Sequence, residues 1–341
     1  MVRFSVVILH LDTPELLEKS LLSVLPDRGT EDEVLVVCSR PYADPYQLAE
    51  EVQFLEASGA NWAEAANQGI RAARAPLVQL IQAGTEITLE ASQLALRHFA
   101  DPHVVAVGAW TVDDQNAQRF LRAGWTLTAG GRIRPVRISR GSSDRGSNGA
   151  ASSEADCPSA ALPILAPDPA CAIVRKQVVL TWGGFPRELT PQGAWLEMGL
   201  AMQAAGFRLL AEPACTARIP RPLLLKPSAR QLARDAERLF WQWTPRPIGL
   251  GRLCRHLLAV LGEWLASGPT PTGLAQLLGR LAGLRQGLRM PPGRARALRL
   301  FQHPEKSSIP PPHFQSSARR DRTAFPTHRA DKNSAVLFPQ R

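Results

Sequence analysis

Few side chains in this 341-residue chain stand where their type and spacing could do chemistry. Asp113-Asp114 is an acidic pair of the kind that holds a divalent cation. It follows the apolar run 104–107, however, and reads as a solvated turn. Five cysteines (Cys38, Cys157, Cys171, Cys215, Cys254) are scattered, with no Cys-x-x-Cys. They suit reduced thiols better than a disulfide framework or a zinc site. His10 ends the first apolar run and reads as a packed surface histidine rather than a catalytic one. Asp12 follows, just ahead of Thr13-Pro14-Glu15. It reads as the N-cap of a helix, with a nucleotide contact as the other reading.

The elements that must position such residues alternate. Phe4–Leu9 is β-branched and predicts a strand; Leu16, Leu17, Ser20, Leu21 and Val24 follow at helical spacing. Strands are expected at 34–37, 52–55, 77–81 and 104–107, with helices over 62–74 and 90–99 between them. This β-α alternation means a mostly parallel sheet with helices on both faces, which binds ligands beyond the carboxyl ends of its strands. The informative ends are therefore those near His10, Cys38 and Gln82. Residues 139–160 are rich in Ser, Gly, Asp and Ala and read as a flexible insertion. A strand at 171–174, a helix near 176–180, a Gly183-Gly184-Phe185 turn, a helix over 195–205 and a strand at 207–211 complete this part.

The four segments 4–18, 60–74, 106–125 and 171–208 resemble, in that order, glycosyltransferase family 2, of the GT-A fold and its rhamnosyltransferase-like branch. Asn67-Gln-Gly-Ile70, Ala106-Val-Gly108, Gly183-Gly-Phe185 and Gly199–Arg208 carry the likeness. It spans roughly residues 2–220. It implies a GT-A domain over 1–222, a nucleotide-sugar donor, and transfer to a glycan or lipid-linked acceptor. Inverting transfer on this fold needs a divalent metal for the leaving diphosphate and a carboxylate base for the acceptor hydroxyl.

The matching positions lack these groups. Cys38, followed by Ser39, stands where the family places an acid. Gln82-Ala83-Gly84-Thr85 stands where it places Asp-x-Asp, and neither Gln82 nor Gly84 can ligate a metal as a carboxylate does. Trp195 falls at the catalytic acid, and Ile219-Pro220 near the late histidine. A divalent metal is therefore not expected. The resemblance leaves Asp12, Cys38, Ser39, Asn67, Gln82, Gly84 and Thr85 as the donor-facing set. Arg218 and Arg221 could replace the cation with guanidinium groups, or could be a solvated basic linker. Glu197 or Glu188 could serve as base; Glu197 could equally be an acid near a helix N-terminus. Two functions remain: a weak, metal-independent transferase, or an inactive sugar-nucleotide or glycan-binding scaffold.

Charge separates the rest of the chain. Residues 1–217 hold 18 basic against 24 acidic side chains; residues 218–341 hold 22 against 6. A protein basic throughout, of the histone kind, is excluded for the first two thirds. In residues 223–302 three helices are expected, with stripes Leu232–Trp243, Leu253–Trp264 and Leu274–Leu288. Arg230, Arg234 and Arg238 lie on another face of the first. These helices over 228–300 could lie on an anionic membrane surface, or pack with Trp241, Trp243 and Trp264 buried. No nucleic-acid partner is expected, since no helix-turn-helix, zinc-finger or RNA-recognition signature is present. Residues 303–341 are polar and aperiodic and predict disorder. With no apolar run of 18 residues and no signal peptide, the expectation is a cytoplasmic protein, with peripheral attachment to the inner face of the membrane as an option.

Overall fold

In a computed structural model, residues 4–301 are described, apart from 27, 30, 117–118, 138–159, 221–227, 246 and 269. Nearly all of the Ser/Gly-rich insertion, the polar C-terminal stretch, Cys157 and Arg221 thus lie outside the described residues.

The chain opens with β1 (Phe4–His10), whose seven residues are all buried because the strand ends up in the middle of a sheet. α1 (Pro14–Val24) starts on Pro14, which needs no amide hydrogen at the first helical position. Its N-cap is Thr13, whose side chain makes no cap bond, so the expected cap at Asp12 is corrected. The β-branched run of β2 (Asp32–Cys38) and the shorter β3 (Val52–Glu56) extend the sheet on one side. α2 (Trp62–Ala72) begins with a full capping box, Asn61 and Glu64 each satisfying the other's backbone amide. β4 (Leu77–Gln82) pairs with β1, and α3 (Leu89–Leu96) is capped by Thr88. β5 (Val104–Asp113) is ten residues long, well beyond the expected four. Asp113 is therefore the buried last residue of a strand, and only Asp114 follows it.

Three short strands, β6 (Phe120–Arg122), β7 (Gly124–Leu127) and β8 (Ile133–Val136), precede β9 (Leu162–Pro163) and β10 (Cys171–Arg175). α4 (Lys176–Trp182) ends in a left-handed glycine, Gly183 at φ 99°, where a side chain would be strained. α5 (Pro191–Ala204) begins four residues before the expected start, and β11 (Arg208–Ile219) is twelve residues long. The sheet order is β3-β2-β1-β4-β10-β5-β11-β9, with β6 on β5. β10 runs antiparallel to both neighbours, as do the edge strands β6 and β9; the other strands are parallel. The architecture is therefore α/β, with a mostly parallel central sheet flanked by helices. Val6, Ile8, Val34, Val36 and Leu17 anchor a continuous apolar core on one face.

The chain divides into two compact units. The first holds the sheet. The second takes residues 126–134, residues 200–207 and the C-terminal helices. Those helices are α6 (Ala229–Trp243), α7 (Leu250–Ser267), α8 (Pro271–Arg289) and a fourth, unanticipated α9 (Gly293–Phe301). α6 opens on a capping box from Ser228 and Gln231. Its backbone meets α8 through glycines. A Cβ added at Gly279, Gly283 or Gly287 would stand 2.2, 2.2 and 2.9 Å from the carbonyl oxygens of Arg230, Arg234 and Arg238 respectively. Both sets of numbers rise together, so the two helices run parallel. The seam replaces the expected packing of the α8 leucines: Leu274, Leu278, Leu281 and Leu288 are exposed. Trp243 is buried against Gly293, whereas Trp264 is exposed, correcting the reading in which the tail tryptophans are buried together.

A carboxylate-poor strand edge in a GT-A fold

The carboxyl edge of the sheet brings three sequence-separated residues together. His10 pairs in register with Cys38, and Leu9 with Gln82. The chain is then locked: Ser39 N donates to His10 O at 3.0 Å and Ala83 N to Leu9 O at 3.1 Å. Gln82 N donates to Ala170 O at 2.9 Å, and Thr85 N turns back to Gln82 O at 3.0 Å around Gly84, whose φ is 94°. Ser20 of α1 holds this turn from behind. Its hydroxyl donates to Thr85 O at 2.8 Å and accepts from Gly84 N at 2.9 Å.

His10 is fully buried, not the surface histidine expected from sequence. Both of its ring nitrogens lack a hydrogen-bond partner among the described residues, as do Gln82 Oε1 and Thr85 Oγ1. Buried polar atoms in folded proteins are nearly always satisfied, so a cluster of orphans at a strand edge marks a place for a polar ligand or water. Tyr42 stands edge-on to His10 at 6.0 Å between ring centroids and stacks on Phe54 at 5.6 Å. Burial pushes the His10 imidazole below its ordinary value; Asp12 opposes this and Arg40 adds to it. At neutral pH His10 is therefore an uncharged donor and acceptor. Burial, with Glu56 nearby, lifts the Cys38 thiol to about 11, which makes it a poor nucleophile.

Glu86 is the first carboxylate after β4, and it is occupied: Lys19 binds it at 2.8 Å and Asp114 at 3.3 Å. Asp113 Oδ1 accepts from Gln115 N. Among the described residues no three His, Cys, Asp or Glu side chains gather where a metal ion could sit. The donors at the β4 end, a carboxamide and a glycine, do not fit a divalent cation. Opposite them, Arg218 exchanges two backbone hydrogen bonds with Glu86, each 2.9 Å, and its side chain is exposed. This puts an accessible guanidinium on the strand segment next to the turn at Gly84.

The position of the expected catalytic acid holds an indole. Trp195 is fully buried, 4.7 Å from Phe185 and 6.3 Å from Trp62 between ring centroids. Asn67 fastens this cluster. Its amide donates to Phe185 O at 2.8 Å and its oxygen accepts from Phe185 N at 2.7 Å. Both ends of the carboxamide are thus engaged with the Gly183-Gly184-Phe185 turn. Glu197 lies in the second turn of α5, beyond the reach expected of a helix N-terminal acid, and is buried. Glu188 is exposed on the loop before α5, 3.7 Å from Arg187.

Sequence reasoning missed Asp168. It is fully buried, ion-paired with Arg122, and accepts from Trp125 Nε1 at 3.3 Å and Ala170 N at 3.0 Å. It braces the segment that hydrogen-bonds the end of β4. Its flanking prolines, Pro167 and Pro169, were the available signal of a fixed turn.

This sheet order and its helices define a GT-A glycosyltransferase fold. The likenesses are to solved structures: GalNAc-T7 with UDP, GalNAc and Mn2+ superposes with a TM-score of 0.57 at 13% identity, covering 92% of this chain and 59% of that one. TarS 1–349 of S. aureus gives 0.53 at 14% identity, covering 87% and 83%, and its complex with UDP-GlcNAc gives 0.52. The chain thus spans about three fifths of GalNAc-T7. No protein-family model matches the chain, and no curated protein matches it.

Proposed function

We propose that this chain binds a nucleotide-sugar donor at the carboxyl edge of its sheet without a divalent metal, and transfers the sugar slowly to a glycan or lipid-linked acceptor. The observation that carries the reading is the buried, unsatisfied trio His10, Gln82 and Thr85 on a GT-A fold. Asp12 lies two residues after His10, and Ser39 N donates to His10 O at 3.0 Å. Arg218 supplies the positive charge for the diphosphate, joined by Arg221, which lies outside the described residues. Glu188 is the accessible carboxylate of the two candidate bases, Glu197 being buried.

A second reading, a donor- or glycan-binding scaffold without turnover, is favoured by Trp195, a buried indole packed on Phe185 where the resemblance would put the base. One set of measurements separates the readings. Calorimetry with UDP-, GDP- and dTDP-sugars in EDTA should give binding that Arg218→Ala abolishes. Hydrolysis or transfer lost in Glu188→Gln, with binding kept, supports the transferase; binding with no turnover supports the scaffold. Stabilisation that requires Mn2+ contradicts both. The corresponding cellular place is the cytoplasmic face of a membrane carrying lipid-linked acceptors. No helix among the described residues is long and apolar enough to cross a membrane.

A further inference from the structure

α7 and α8 are built inside out. On α8 the glycines Gly279, Gly283 and Gly287 with Arg280 form the buried side, while Leu274, Leu278, Leu281 and Leu288 lie on the opposite side of the helical wheel. Arg285 and Arg289 share that outer side and are exposed. On α7 His256 is the one residue classed as buried. It stacks on Phe240 at 3.9 Å, contacts Gly130 O at 3.0 Å and meets Glu237 Oε1 at 2.9 Å. Leu258, Leu261 and Leu265 lie across the helical wheel from it and Leu257 and Trp264 to one side, and all five are exposed. Exposures of 68% for Leu258, 64% for Leu265 and 64% for Leu281 are far beyond what scattered surface leucines explain, because they recur at helical spacing on two consecutive helices.

Charge selects the occupant. Residues 250–301 hold eight arginines and one acid, Glu263. Glu263 is neutralised by Arg280 at 2.5 Å and Arg132 at 2.8 Å. Arg255, Arg285, Arg289, Arg294, Arg296 and Arg299 are exposed. A second copy would set this positive face against itself. Residues 302–341, with seven basic and three acidic side chains, carry the same sign. The helices cannot span a bilayer, yet leucine and tryptophan rimmed by arginine is the composition that lies within its interface.

We infer that the outer faces of α7 and α8 dock on an anionic phospholipid bilayer, the leucines entering the headgroup–acyl boundary and the arginines meeting lipid phosphates. The inference does not rest on the donor-site reading, since vesicle binding requires no nucleotide; either can fail alone.

The test uses the full chain and vesicles of equal parts phosphatidylcholine and phosphatidylglycerol, against pure phosphatidylcholine. The wild-type chain should sediment with the anionic vesicles and blue-shift its tryptophan emission, a shift absent in Trp264→Phe. The triple variant Leu258→Glu, Leu265→Glu, Leu281→Glu should bind at least about tenfold more weakly. Its substitutions are at exposed positions, and circular dichroism checks its fold. Arg285→Ala and Arg289→Ala should each lower the affinity about fivefold, only on anionic vesicles. Wild-type protein left in the supernatant overturns the proposal, as does a blue shift that survives in Trp264→Phe. So does a dimer, seen by light scattering, that the triple variant dissociates.

Discussion

At the residue scale, the strand ends carry a buried histidine and a carboxamide where the resemblance would put carboxylates. Carboxylates at strand ends would need a cation; a neutral imidazole and a carboxamide do not. His10 makes this testable. Its two unpartnered nitrogens cost stability, by about 1–3 kcal/mol for a buried polar group without a partner. His10→Phe should therefore raise the unfolding free energy by about 1 kcal/mol in urea melts while weakening nucleotide binding at least about tenfold. The pH dependence has a definite sign. The folded-state value of His10 lies below its ordinary 6.5, so the unfolded chain takes up the proton first. Stability is complete above about pH 6.5 and falls as the pH drops toward the folded value. The slope of unfolding free energy between pH 7 and 5 should be shallower in His10→Phe; an unchanged slope would mean that the imidazole is solvated. The unmatched carboxylate positions could be read along the chain only against the family that the sequence resembles. The burial of His10 could not, because it comes from its place on a central strand with Tyr42, thirty-two residues on, edge-on to the ring, contacts no local pattern encodes.

At the element scale, the main order of strands and helices was readable because the β-branched runs follow local propensity, although the cap expected at Asp12 falls at Thr13 and the short β6 to β9 were not anticipated. Asn61–Glu64, Thr88 and Ser228–Gln231 start their helices as their sequences require. The facing of α8 was not readable. A leucine stripe at helical spacing ordinarily marks the core side, and here it marks the outside. The reason lies in Gly279, Gly283 and Gly287, which let two backbones approach more closely than any side chain permits. Gly283→Ala should thus destabilise the helical unit by about 1–3 kcal/mol, since its Cβ would stand 2.2 Å from Arg234 O, a backbone atom that cannot swing aside. The control is Gly251→Ala on α7. Nothing lies within 4 Å of its added Cβ, so it should stabilise by roughly 0.5–1 kcal/mol through helix propensity. Thermal melts of the two variants moving in the same direction would rule out the seam. Within this unit the Glu237 carboxyl is held below the ordinary range despite its burial, by His256, Arg280 and Trp241. It contributes stability that is present above about pH 4.5 and lost as the pH falls through its lower folded value. Glu237→Gln should weaken the unit by about 1–3 kcal/mol at pH 7 and little at acid pH, because Arg280 and His256 lose a charged acceptor while Glu263 still holds Arg280.

At the scale of the whole molecule, the net charge of +10 conceals an acidic sheet region and a strongly basic remainder. The two serve different physics. On the proposed readings the first would bind through oriented polar atoms and the single exposed Arg218 guanidinium, the second through a field of many arginines that salt screens more strongly. Raising ionic strength shortens the Debye length from about 10 Å at 0.1 M to about 3 Å at 1 M. Association with anionic vesicles should accordingly weaken with salt, but not vanish, because the leucine contribution is insensitive to screening. The two kinds of variant should divide along this line. Arg285→Ala with Arg289→Ala should flatten the salt dependence and leave the high-salt binding unchanged. Leu258→Glu with Leu265→Glu should remove the high-salt binding while some low-salt attraction persists through the remaining arginines. Nucleotide binding, measured in the same buffers, should change far less across that range. Were donor binding to fall as steeply as vesicle binding, the basic helices rather than the strand edge would be the anion site, and the separation of roles between His10 and the arginine rim would be wrong.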